Sequence, residues 1–63
     1  MNKTALKLEY FNTISDYCEE YSILVDEYDA IVLSDNLLYL KFSGKSNRSI
    51  HSYMVKSLQE IRL

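Results

Sequence analysis

The sequence predicts a small α+β domain of helix, β-hairpin and helix, with both helices packed on one face of the hairpin. Three observations predict it. Phe11, Ile14, Cys18, Tyr21 and Val25 recur at spacings of three and four, which lines one face of a helix. Ile50, Tyr53, Met54, Leu58 and Ile61 do the same further along. Between them, "EYDAIVLSDNLLYLKFSG" sets two apolar runs around Ser34, Asp35 and Asn36, residue types that suit a tight turn.

The first helix is expected to run to about Leu24, with Asn12, Asp16, Glu19 and Glu20 on its polar face. Its start is ambiguous. "TALKLEY" also alternates, so residues 3–10 read either as the first turns of a long helix or as a short edge strand. The helix is preferred. In the strand reading, Asn12 or Thr13 caps a shorter helix, Thr13 and Asp16 having the spacing of a capping box.

For the hairpin, a turn at Asp35 and Asn36 pairs Leu33 with Leu38, Ile31 with Leu40 and Asp29 with Phe42. One face then gathers Ile31, Leu33, Leu38, Leu40 and Phe42. The other carries Tyr28, Ala30, Val32, Tyr39 and Lys41. A slip by one residue exchanges the two sets. The second helix is expected to start at Ser46 or Asn47, both good caps. Arg48, Ser52, Lys56 and Gln59 lie on its outer face, and Arg62 suits the negative pole of its dipole.

At 63 residues the chain is a single domain, 1–63. A core this small rarely supplies more than roughly 3–5 kcal/mol. Cys18 is the lone cysteine and His51 the lone histidine, so one chain builds neither a disulfide nor a Cys/His zinc site. Self-association or a partner is the expected extra source of stability. Nearly half the residues are hydrophobic and the net charge is −2, which argues against disorder. No secretory signal or membrane span is expected, and a free thiol fits a reducing cytoplasm. Asn, Lys, Ile, Tyr and Phe supply 22 residues, while Pro is absent and Gly occurs once. That bias suggests an AT-rich genome, such as that of a low-GC bacterium, a phage or a plasmid.

Gly44-Lys45-Ser46 resembles the end of a phosphate-binding loop only in passing. That loop needs a glycine five positions earlier, where Tyr39 stands. The expectation is instead that Gly44 supplies a positive φ where a strand exits. Cys18 lies on an apolar stripe, where an inert thiol is expected rather than a nucleophile paired with His51. The acidic run Asp26–Asp29 lacks the length, glycine and final glutamate of a calcium loop. No catalytic residue, metal or cofactor is expected.

Charge is distributed unevenly. Residues 1–36 are net −6 and residues 37–63 net +4. The halves attract each other within the fold, or each pole meets a patch of opposite charge on a partner. The leading expectation is a non-enzymatic, self-associating regulator or inhibitor that binds a protein. It uses Tyr28, Val32 and Tyr39 on the hairpin's outer face, with Asp16, Glu19, Glu20, Asp26 and Glu27 as an acidic surface. The alternative is a nucleic-acid-binding regulator that meets phosphates with Lys45, Arg48, Ser52 and Lys56.

Overall fold

The structure is a computed structural model and describes residues 2–61. It holds three helices: α1 (Lys3–Glu20), α2 (Glu27–Phe42) and α3 (Asn47–Ile61). No strand occurs among the described residues. The expected α+β class is thereby corrected to all-α, because the segment read as a hairpin is one continuous helix. Arg62 lies outside the described residues.

Local chemistry explains why residues 27–42 form a helix. Asp26 is the N-cap, and its Oδ1 accepts from the Asp29 N–H at 2.8 Å. Glu27 and Asp29 in the first turn and Lys41 in the last complement the helix dipole. Two of the three residues expected in the turn have side-chain partners in the helix, and the third, Asn36, is exposed. Ser34 is buried, and its hydroxyl donates to the Ala30 carbonyl one turn back at 2.8 Å. Asp35 accepts from Lys7 Nζ at 2.8 Å.

α1 begins at Lys3, so residues 3–10 are helical and the edge-strand alternative falls away. Asn2, not Asn12 or Thr13, caps it: its side chain accepts from the N–H groups of Thr4 and Ala5. The Thr13 hydroxyl instead donates to the Glu9 carbonyl. α3 starts where the sequence places it. Ser46 Oγ accepts from the Ser49 N–H at 3.1 Å.

α1 and α2 end in the same way. Ile23 N–H bonds the Cys18 carbonyl and Ser22 N–H the Glu19 carbonyl; Lys45 and Gly44 repeat this on Leu40 and Lys41. Both are Schellman motifs, with Ser22 (φ 55°) and Gly44 (φ 90°) at the left-handed position. The positive φ expected of Gly44 is present, but it ends a helix rather than a strand.

α2 is the central helix. α1 runs antiparallel along it: Lys3 sits over the Phe42 ring, 5.3 Å from its centroid, and Lys7 reaches Asp35. α3 packs back on α2, over a smaller contact than α1 makes. The core combines Ile14 and Cys18 of α1, Ile23 of the first connection, Ala30, Leu33 and Leu37 of α2, and Ile50, Met54 and Leu58 of α3. Ala30 and Ser34, one turn apart and both small, leave room for close helix approach.

Candidate functional site

α2 is apolar nearly all round, yet only part of it is buried. Ala30, Leu33, Ser34 and Leu37 face inward; Leu38 and Leu40 are half-buried. The opposite side exposes Tyr28 (74%), Ile31, Val32, Tyr39 (72%) and Phe42. Successive steps of three, four and seven residues put Tyr28, Val32 and Tyr39 along one outer stripe, with Ile31 and Phe42 beside it. Tyr28, Val32 and Tyr39 therefore share an exposed face, though it belongs to a helix and not a hairpin. Ala30, expected beside them, is core, and Ile31 and Phe42, expected inside, are outside. Helical phase explains both exchanges.

α1 extends this face. Thr4, Lys7, Leu8 and Phe11 line a shallow, almost wholly apolar depression, in which Lys7 reaches across to Asp35. Leu8 is exposed, and Phe11 packs partly against the core. Leu8 is a contributor that the sequence reading did not single out. Only its place between Thr4 and Phe11 on one side of α1 signals it. Leu24, in the connection before α2, is 93% exposed.

The charged residues separate by end of the molecule. Antiparallel pairing puts the C-terminus of α1 beside the N-terminus of α2. Asp16, Glu19, Glu20, Asp26, Glu27 and Asp29 thus gather at that end, all exposed. Lys3, Lys41, Lys45 and Arg48 gather at the other end, while Lys7 lies midway, beside Asp35. The sequence asymmetry becomes a dipole along the bundle. Lys7–Asp35 is the one ion pair among the described residues, so the two poles do not neutralise each other by direct contact.

The residues expected to meet nucleic acid are also exposed together. Lys45 lies in the turn after α2, and Arg48, Ser52 and Lys56 follow at intervals of four along the outside of α3. The turn between α2 and α3 has four residues and contains Gly44. α2 and α3 are thus joined by a short turn and not by a hairpin, which is the connection a helix–turn–helix arrangement needs.

A groove of about 360 Å³ opens between α1 and α3. Leu6, Tyr10, Leu37, Ile50 and Met54 supply its apolar lining, and Glu9, Thr13, Lys41, Asn47 and His51 its polar groups. Lys41 Nζ donates to Asn47 Oδ1 at 3.3 Å. Burial, and then the neighbouring Glu9 carboxylate, push the Tyr10 phenol above its ordinary pKa. Burial likewise pushes the Cys18 thiol up, away from the reactive thiolate. Cys18 lies near the acidic end, whereas His51 lies one turn into α3, near the basic end. No group of three His, Cys, Asp or Glu side chains with metal-binding geometry occurs among the described residues, and no described helix is long and apolar enough to cross a membrane. No family model matches the chain, and no curated protein or solved structure matches it either.

Proposed function

We propose that this chain is a small non-enzymatic regulator or inhibitor that acts by binding a protein, in a reducing cytoplasm, encoded by a phage or mobile element. The observation that carries the proposal is the outer face of α2. A helix with apolar residues on every side is normally covered on more than one side, and this one leaves Tyr28, Ile31, Val32, Tyr39 and Phe42 uncovered around the ion-paired Asp35. Their exposed area is on the order of 600 Å², the upper end of what monomeric proteins show. Tyrosine and phenylalanine are also the side chains that anchor interfaces. The acidic end, with Asp16, Glu19, Glu20, Asp26 and Glu27, supports steering towards a basic partner.

The test is a tagged capture from host lysate, with and without nuclease, for the wild type and the Val32→Asp and Tyr39→Asp variants. A protein retained by the wild type in both runs, and lost with either variant at unchanged helical circular dichroism, is the expected result. Capture that survives both variants overturns the reading.

The four-residue turn at Gly44 favours a second reading, nucleic-acid binding through Lys45, Arg48, Ser52 and Lys56. The net charge of −2 weighs against it, since phosphate binding is driven by many cations on one surface. It requires duplex affinity that falls steeply with salt and is lost in Arg48→Ala/Lys56→Ala.

A further inference from the structure

We infer that the occupant of the α2 face is a second copy of this chain, joined through α2 in an antiparallel two-fold dimer. The inference rests on reading that face as protein-binding, and it names the partner. Three observations carry it.

The first is area. Tyr28, Ile31, Val32, Tyr39 and Phe42 together expose on the order of 600 Å² around Asp35, which with the polar margin approaches the roughly 800 Å² per subunit of a standard interface. A two-fold axis needs only one such patch, because the patch meets itself.

The second is charge. One end of the bundle holds Glu19, Glu20, Asp26 and Glu27, and the other Lys41 and Lys45. Antiparallel α2 helices lay each acidic end beside the partner's basic end. A parallel dimer sets like charges together, which is disfavoured. Asp35, near the middle of the face, is already paired with Lys7 at 2.8 Å, so contact buries no lone carboxylate.

The third is register. If Tyr28 packs against the partner's Tyr39, the same offset carries Phe42 to the connection that precedes α2 in the partner. Leu24 stands there, 93% exposed and outside its own core. One register therefore covers both tyrosines and the two apolar residues at the ends of the face.

The experiment is sedimentation equilibrium on the full chain, joined to disulfide cross-linking. The wild type is expected at twice its 7.4 kDa mass, with association weakening severalfold from low to high salt. Val32→Asp is expected at 7.4 kDa with unchanged helical circular dichroism. On mild oxidation, Tyr28→Cys mixed with Tyr39→Cys should form a mixed dimer, while each alone stays largely monomeric in a denaturing gel. A wild type that stays monomeric at every concentration overturns the dimer. Self-cross-linking of Tyr39→Cys alone, with none in the mixture, overturns the antiparallel arrangement. In either case, loss of lysate capture in Val32→Asp leaves the protein-binding reading standing, and unchanged capture removes it too.

Discussion

Ser22 and Gly44 occupy the same position in two copies of one helix-ending motif, and they differ in how well they suit it. Gly44 has no Cβ to clash at φ 90°, and a Cβ built there meets nothing within 4 Å. Gly44→Ala should therefore cost about 1 kcal/mol from backbone conformation alone. Ser22 bears a side chain at φ 55°, so Ser22→Gly should stabilise by about 0.5–1 kcal/mol, once glycine's extra unfolded-state entropy is subtracted. Urea denaturation of the two variants checks both signs. Cys18 gives a second residue-scale expectation. Burial raises its pKa, so the folded chain keeps the thiol proton to higher pH than the unfolded chain does. That contribution is fully present below the unfolded thiol pKa of about 8.5, and is lost as pH rises through the folded value. Stability should thus decline above about pH 8.5, and less steeply in Cys18→Ala, with Tyr10, also raised, adding to the loss at higher pH. The native thiol should react with a disulfide reagent far more slowly than the urea-unfolded one. The positive φ of Gly44 and the buried state of Cys18 were both legible in the sequence, because each follows from side-chain chemistry at one position.

At the scale of elements, α1 and α3 were legible and α2 was not. α3 buries Ile50, Met54 and Leu58, three residues of the stripe expected from spacing, and α1 buries Ile14 and Cys18. In α3, and in α1 from Phe11 onward, polar residues interrupt the apolar ones at a helical period, whereas residues 3–10 alternate. α2 has apolar residues on every side, so a period of 2 fits it as well as one of 3.6. Two apolar runs on either side of Ser34, Asp35 and Asn36, residue types that suit a tight turn, then favour a hairpin. The signals that decide for a helix lie at its ends. Asp26 as cap, Glu27 and Asp29 in the first turn, Lys41 in the last and Gly44 just beyond it form a complete set of start and stop residues. If the cap contributes as that argument requires, Asp26→Ala should cost about 1 kcal/mol in chemical denaturation. Asp26→Asn, which keeps the acceptor and removes the charge, should cost less. The candidate face was partly legible for a related reason. Tyr28, Val32 and Tyr39 share a side in both readings, whereas Ile31, Phe42 and Leu8 join them only once the helical phase is known.

At the scale of the molecule, nine buried apolar side chains among the described residues carry the fold, and the lone cysteine, Cys18, forms no disulfide with them. A core of that size gives roughly 3–5 kcal/mol. Leu58 is fully buried, and removing most of it as Leu58→Ala should cost about 2–5 kcal/mol. The two ranges overlap, so Leu58→Ala should leave much of the chain unfolded in dilute solution. Association changes this balance by mass action, since a partner that binds only the folded chain adds stability that grows with its concentration. In the antiparallel dimer that partner is the chain itself. The midpoint of thermal unfolding of the wild type should therefore rise with protein concentration. In Val32→Asp, whose substitution lies on the outer face and not in the core, the midpoint should be lower and independent of concentration. Calorimetry over a hundredfold range of concentration separates the cases. A wild-type midpoint that does not move means that the small core holds the fold alone and that the outer face of α2 adds nothing to stability. A midpoint that rises in both chains means that the copies meet through some other surface. A rise confined to the wild type ties the stability of the fold to the face that the bundle leaves open.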